Sequence, residues 1–301
     1  RHYRMRGHFQ VNLSGVGFEY KMDRYSFLSW SPGSVRLNEV LHLFRLRAPC
    51  YPELLENLHE VWIHTSSDGD AIAMLTYHSS LPSDWHTHAT RFHVEEGIPL
   101  VGVPYTVKDK WWENRGIRMS CDRDHVVEHF VCAGRVLSYR QLIGFFSQPN
   151  FAVCQHMLDW VELQACSFGK DLLELHCGNG SFSLALAHNF GKVLATELSD
   201  ELIFLAKDNA ALNKIQNVAF LQIASNVLSQ ILQGDGKVIR DSLALSFDGF
   251  DFSTILVDPT RRGVDQCTLD LMKTFDFIIY ISCNVHALAR DLSELSGSHV
   301  V

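Results

Sequence analysis

DLLELHCGNGSFSL, residues 171–184, decides the fold. An apolar run (Leu172, Leu173, Leu175) ends in a tight turn, Gly178-Asn179-Gly180. A periodic apolar segment follows at once, with Phe182, Leu184, Ala185, Leu186 and Ala187. That is a strand, a glycine turn and the start of a helix. Glycines let the backbone turn sharply and lie against a ligand that a Cβ would strike. Two cofactor classes use such a turn. A dinucleotide site wants a third glycine where the helix begins; Ser183 stands there, and no phosphate-cradling cluster is present. A nucleoside cofactor such as S-adenosylmethionine has no pyrophosphate and needs no third glycine. Glu197 closes the next apolar run, KVLATE, 19 residues after Gly178, where an acid can hold a ribose diol. The stretch reads as a methyl-donor site; the plain alternative is a tight turn with no ligand.

Working outward, the pattern alternates. Strands are expected at 171–177, 192–197, 218–224, 253–258 and 277–283. A helix is expected over 202–212, with Ser199 or Asp200 as its cap and Glu201 in its first turn. Another is expected over 154–165, after a turn at FFSQPN, 145–150, through which Pro149 excludes a helix. Residues 234–250 read as an irregular insertion. Such alternation means a parallel, doubly wound α/β sheet with helices on both faces. Ligands bind such sheets at the carboxyl ends of the strands, and three strands end in polar groups: Glu197, Asp258 and Cys283. The run FDFIIYIS delivers Cys283, beside Asn284, to that edge. A strand-end thiolate opposite a methyl donor suggests a nucleophile for an electrophilic ring carbon; the bland reading is a buried free cysteine. Asp258 opens the turn DPTRRG, where it could hold a base edge or a cofactor amine, and Arg261 and Arg262 could meet phosphate or simply be exposed.

The first half reads as mixed α+β with no internal repeat. Arg4 and Arg6 alternate with Tyr3 and Met5 at a strand period, which by itself favours a solvated edge strand. A hairpin is expected over 18–30, a helix over 38–46, mixed signals over 51–62, a buried strand at 71–77, a helix or loop over 82–93, and strands at 101–107 and 117–119. His86, His88 and His93 have no evident carboxylate or cysteine partner and read as surface histidines rather than metal ligands. Trp111 and Trp112 beside Lys108 and Lys110 suit base stacking with phosphate contact, or a half-buried hairpin. The composition shifts over 134–148, which places the domain boundary there, with 1–140 and 141–301 as the two domains.

The chain has 301 residues, 47% hydrophobic and 20% charged, as expected of a two-domain globular protein. No run approaches the roughly 18 apolar residues of a membrane span. The eight cysteines form no C-x-x-C pair, so neither a zinc ribbon nor a cysteine-ligated cluster is indicated. Reduced thiols in a cytoplasmic setting are expected. The first residue is Arg1, so an organelle-targeting segment ahead of it stays open. The net charge of −8 sits entirely in residues 151–301, with 10 bases and 18 acids; residues 1–150 hold 16 of each and 11 of the 16 histidines. A neutral, His- and aromatic-rich half can still be basic on one face, and local fields govern phosphate contact.

FSQPN, LLELHCGNGSFSLALA, VLATE, ILVDP and YISCN, in that order, resemble the RNA 5-methyluridine methyltransferases, most closely the bacterial tRNA (uracil-5-)-methyltransferases. HYRMRGHF, AIAMLTYH and SYRQ extend the match through the first half. The resemblance implies a Rossmann-like S-adenosylmethionine-dependent sheet preceded by a smaller RNA-binding domain, and methylation of C5 of a T-loop uridine in tRNA. It implies that Cys283 adds to C6 of a flipped-out uracil, with Asp258 as the second candidate catalytic residue. It implies cofactor contacts at Gln148, His176, Gly178, Gly180, Ser181, Glu197 and Asp258, and substrate contacts at Phe146 and Arg261. No metal and no membrane are implied, and a monomer is expected. The family usually has Tyr at His176, Asn at Ser181, a second Pro at Thr260 and Pro at Val285; weakened donor affinity is the expected consequence. Its general-base Glu follows the last strands, and this chain reaches Val301 before it. The final strands of the sheet are therefore expected to be missing and the chain to be an incomplete version of a longer protein.

Three other readings stand beside this one. An RNA-binding, tRNA-folding relative with weakened or lost catalysis is motivated by Thr260, Val285 and the absent base. A methyltransferase acting on an exocyclic amine would favour a D-P-P-aromatic motif, which Thr260 and Arg261 replace. An NAD enzyme is disfavoured by Ser183.

Overall fold

The computed structural model describes residues 2–12, 17–20, 29–104, 118–165, 168–234 and 249–300. Trp111, Trp112, Lys108 and Lys110, and most of the insertion expected at 234–250, lie outside them. The chain divides into two compact units that interleave: residues 1–129 with 140–155, and residues 130–139 with 156–301.

The first unit is built on a six-stranded sheet. Its strands are β1 Arg6–Asn12, β2 Gly17–Tyr20, β3 Leu58–Thr65, β4 Ala71–Tyr77, β5 Leu100–Pro104 and β6 Met119–Ser120, in the order β2-β1-β3-β4-β5-β6. β1 is not a free edge strand: β3 pairs along one side, β2 pairs with Phe9–Asn12 on the other, and ahead of them Arg4 bridges Gly33 and Asn150. All neighbours are antiparallel except β4 and β5. A parallel pair needs a crossover, and α3, Trp85–Glu96, supplies it. The histidine-bearing stretch is therefore helical. His88 meets Asp84 at 3.1 Å, and among the described residues no cluster of metal-ligating side chains forms. AIAMLTY is buried at all seven positions, as a central strand covered on both faces must be. One face packs on α1 (Val35–Arg47), through Leu37, Val40, Leu41 and Phe44, and on α3. Those four lie at helical spacing on a single stripe, and Ser34 caps α1 by accepting from Leu37 N at 3.0 Å. The other face gathers Ile72, Met74, Val101, Val103, Val126 and Ile143. The mixed signals at 51–62 resolve into a short helix, α2 Pro52–Leu55, and then β3.

β7, His125–Cys132, and β8, Arg135–Leu142, form a two-stranded sheet. The turn between them is Ala133-Gly134, both at positive φ (49° and 70°), the backbone a two-residue hairpin loop demands.

The second unit carries the parallel sheet. β9 Asp171–Leu175, β10 Val193–Glu197, β11 Val218–Gln222, β12 Phe252–Val257 and β13 Phe277–Tyr280 run in the order β11-β10-β9-β12-β13, every pair parallel. All five expected strands are present, and the doubly wound α/β fold is the one expected. The helices are α4 Phe151–Ala165, α5 Ser181–Leu186, α6 Asp200–Leu212, α7 Ser225–Leu232, α8 Gln266–Met272 and α9 Val285–Leu295. α4 straddles the division between the units and starts three residues before the expected helix, directly after the Pro149 turn. Ser199, not Asp200, caps α6, accepting from Leu202 N at 3.3 Å. The core holds Leu173, Leu175, Leu194, Ile255 and Val257 from the sheet against Leu228, Ile231, Leu269 and Met272 from the helices. At the β13 edge, Phe277 stacks on Phe168, ring centroids 4.1 Å apart. The chain winds outward from β9 to β11, then crosses back to β12. The reversal lies between β9 and β12, whose onward connections run to opposite sides, the place where such sheets open a crevice. Among the described residues no helix is long and apolar enough to cross a membrane.

Candidate functional site

The turn after β9 is built as its glycines require. Gly178 has φ +56° and Gly180 φ +84°, conformations that L side chains rarely adopt. Nothing lies within 4 Å of where a Cβ on Gly178 would stand, so that side of the turn is open to a ligand. A Cβ on Gly180 would meet Ala206 and Leu184 at 3.4–3.5 Å, against α6 and α5. His176 also sits at positive φ, +62°, half-buried, and burial lowers its pKa. Cys177 N donates to Thr196 O at 2.9 Å, lashing the turn to β10, and burial raises the Cys177 thiol well above its usual pKa.

Glu197, the last residue of β10, closes the second side. Its Oε2 accepts from Gly178 N at 3.2 Å, and its Oε1 from Leu198 N at 2.7 Å and Ser199 N at 3.1 Å. The carboxylate is thus fixed between the glycine turn and the start of α6, and Oε2 has acceptor capacity beyond its bond to Gly178 N. Ser181 opens α5; its Oγ donates to Asn179 Oδ1 at 2.7 Å, and its carbonyl accepts from Tyr139 OH at 3.1 Å. Asn209, on α6, donates to Asn179 O at 3.1 Å.

Glu174 belongs to this site and was not singled out from the sequence. It is the polar position of β9, 0% exposed, and Ser183 Oγ donates to its Oε2. Its Oε1 is buried without a hydrogen-bond partner. Burial pushes its pKa up to about 8, with the charges of Asp258 and Glu197 adding to the rise. The signal was available: a carboxylate inside an unbroken apolar run, DLLEL, is costly unless paired. The same contact explains Ser183, the residue standing where a dinucleotide fold has glycine.

The third and fourth sides come from β12 and β13. Asp258 is the first residue past β12, half-buried, and the turn behind it exposes Thr260, Arg261 and Arg262. β13 ends at Tyr280, three residues short of Cys283, although Ile281 N still donates to Val257 O at 2.9 Å. The strand stops there because Ser282 folds the chain into a turn: its Oγ donates to Asn284 O at 3.0 Å and accepts from Asn284 N at 3.1 Å. Cys283, at the head of that turn, is exposed rather than buried. Asn284 then caps α9, its Oδ1 accepting from His286 N at 3.1 Å, while its Nδ2 donates to Arg261 O at 2.8 Å. The cysteine turn and the Asp258 turn are therefore joined by one side chain. Deeper down, Asp291 on α9, fully buried, accepts from Tyr280 OH at 2.6 Å and from Val264 N at 3.1 Å, and Arg290 donates to Arg262 O at 2.8 Å.

His176, Gly178, Gly180, Ser181, Glu197, Asp258, Arg261 and Cys283 thus all lie at the carboxyl ends of the second unit's strands. Phe146 and Gln148 belong to the first unit, in its segment 140–155. Phe146 is 65% exposed; Gln148 is half-buried. The second unit's site gathers carboxyl groups and an open glycine turn, a donor set suited to a cationic nucleoside and not to a pyrophosphate.

Comparison with known proteins is consistent with that chemistry. The family model for tRNA (uracil-5-)-methyltransferase matches residues 1–301. A tRNA/tmRNA (uracil-C(5))-methyltransferase of Azoarcus sp. (strain BH72) is 35% identical over 305 residues, covering 99% of this chain and 81% of the relative. The protein of that name from Cellvibrio japonicus (strain Ueda107) is 34% identical over 307 residues, covering 100% and 81%. Among solved structures, the tRNA (uracil-54, C5)-methyltransferase of Pyrococcus abyssi, in complex with S-adenosyl-L-homocysteine, matches with a TM-score of 0.71 at 15% identity, over 97% of this chain and 69% of that one. At that identity the likeness shows a shared fold.

Proposed function

The chain belongs to the tRNA (uracil-5-)-methyltransferase family, and from that premise we propose that it methylates C5 of a uridine in tRNA through a covalent adduct at Cys283. The observation that carries the reading is the exposed Cys283 on a turn tied through Asn284 to the Asp258 turn, on the sheet edge that also holds Gly178 and Glu197.

S-adenosylmethionine supplies an electrophilic methyl group when bound. It carries positive charge at its sulfonium and amino groups, and the acids at the strand ends fit it. Glu197 is suited to the ribose hydroxyls, since both its oxygens are already held by backbone N–H groups and cannot swing away. Open space over Gly178 admits close approach, and His176, Gly180, Ser181, Asp258 and Gln148 complete the assignment. The target base must leave its stack to be reached; Phe146 then stacks on it and Arg261 meets the flanking phosphate.

Cys283 acts as thiolate. Its Sγ forms a bond to C6, and the C5=C6 electron pair moves to C5, leaving an enolate on the C4 oxygen side. C5 then forms a bond to the methyl group, and the electron pair of the broken S–CH3 bond stays on the donor sulfur, which is left neutral. A base removes the remaining C5 proton, that pair reforms C5=C6, and Sγ departs with the electrons of its bond. Asp258 orients the base edge or the donor amine beside this carbon.

The test uses tRNA containing 5-fluorouracil, whose C5 carries fluorine in place of the proton that the base must remove, so that elimination is blocked and the adduct accumulates. A covalent protein–RNA species is expected, lost in Cys283→Ala, together with tritium release from C5-labelled tRNA. The second reading, an RNA-folding relative with weak catalysis, draws on Ser181, whose hydroxyl is committed to Asn179. Tight tRNA binding with no adduct would favour it and remove the first.

A further inference from the structure

Arg6 is an expensive residue. The guanidinium is half-buried, and among the described residues no carboxylate pairs with it. Charge is seldom buried without such a partner. What it does touch is one short segment. Its Nη1 donates to Phe145 O at 2.8 Å, and its guanidinium carbon lies 4.8 Å from the centroid of the Phe146 ring. Burial, and then the charge of Arg4, pull its pKa down to about 10, which leaves it protonated at neutral pH.

The two residues before it hold the same segment. Met5 N donates to Pro149 O at 2.9 Å, and Arg4 bridges Asn150 and Gly33. Ser147 Oγ approaches Nε2 of the buried His64 at 3.5 Å, and that nitrogen also meets Gln141 Oε1 at 3.1 Å. The start of β1 therefore clasps the turn 145–150 at both ends. Phe146 is the exception: its ring is 65% exposed, carried on a clasped backbone with a planar cation at its side. A ring held in water in this way has already lost much of the freedom that stacking would otherwise cost, and base–aromatic stacking needs only a free π-face.

We infer that Arg6 is a positioning residue for base capture, holding the exposed Phe146 ring as a preformed platform on which the extruded uracil stacks. The inference rests on the proposed methyl transfer, which puts Phe146 against the base. Lysine cannot replace the guanidinium here, because a compact ammonium does not stack flat on a ring. Arg6 acts only through Phe146, and that gives the test its discriminating arm.

The experiment measures the rate of adduct formation with 5-fluorouracil tRNA for the full chain, Arg6→Lys, Phe146→Ala and the double variant, with donor affinity by calorimetry and thermal melting alongside. Arg6→Lys is expected to slow the adduct about tenfold or more, within the range of a stacking contact, with donor affinity unchanged. In the Phe146→Ala background the same substitution is expected to change nothing further. An unchanged rate in Arg6→Lys, or a loss that multiplies with that of Phe146→Ala, overturns the inference while leaving methyl transfer standing. A wild-type protein that forms no adduct overturns both. If Arg6→Lys melts early, Arg6→Met removes the buried charge, and the same non-additivity with Phe146→Ala is required of it.

Discussion

Glu174 is the residue whose behaviour the surrounding protein changes most usefully. Its carboxyl keeps its proton in the folded state up to about pH 8, against an ordinary value of 4.5. The sign follows from linkage. Between those values the folded chain holds a proton that the unfolded chain has released, so stability from the neutral form is complete below pH 4.5 and is lost as pH rises toward 8. Glu174→Gln keeps an acceptor for Ser183 and cannot titrate. Wild-type melting temperature, measured against that variant, is therefore expected to fall steadily from pH 5 to pH 8. Parallel pH profiles for the two proteins would refute the assignment. Glycines, Glu197, Asp258 and Cys283 were legible in the sequence because turn chemistry and strand ends mark them. Glu174 is not marked in the sequence, because one acid between Leu173 and Leu175 leaves the run strand-like, and its effect appears only when Ser183, nine residues on, folds back to it.

At the scale of elements, the strand and helix alternation of residues 171–295 was readable because each segment repeats one hydrophobic period between clear breaks. The tie between elements was not. Asp291 sits in a helix that reads as merely amphipathic, yet it joins β13 through Tyr280 OH and the turn after β12 through Val264 N. Bonds of this kind pair residues far apart in the chain by geometry, and no local pattern announces them. Asn at this position keeps a single acceptor oxygen and cannot serve Tyr280, Val264 and Arg290 Nε together. Asp291→Asn is expected to cost about 1–3 kcal/mol in urea denaturation and to speed hydrogen exchange at the Val264 amide. Exchange unchanged at Val264 would show that the turn is held by other means. Likewise, the alternation at Arg4 and Arg6 announces a strand but not its neighbours: β2 pairs only with Phe9–Asn12, and Arg4 bridges Gly33 and Asn150.

At the scale of the whole chain, the composition shift over 134–148 marks the region where the chain changes hands, but not that it does so three times. Residues 130–139 serve the second unit, where Ser138 exchanges two hydrogen bonds with Asn213 and Tyr139 holds the Ser181 carbonyl. Residues 140–155 serve the first, where Phe145 and Pro149 meet Arg6 and Met5. A single cut between 139 and 140 deprives each piece of a segment it packs on. Fragments 1–139 and 140–301, produced separately, are expected to lack the cooperative melting of the intact chain; two independently cooperative transitions would contradict the interleaving. The order β11-β10-β9-β12-β13 also sets a schedule. β9 pairs with β10 across the α5 crossover, with partner residues 21 positions apart (Leu172 and Val193), but must wait for β12, whose partner residues lie about 80 positions downstream. During synthesis at roughly 5–20 residues per second, some 5–20 s pass between the emergence of Gly178 and that of Cys283. Until β12 emerges within that interval, β9 carries one unpaired, apolar edge. The crevice for a small molecule thus forms only after β12 and β13 have joined β9, and until then the nascent chain presents an open strand edge rather than a receptor for any cofactor.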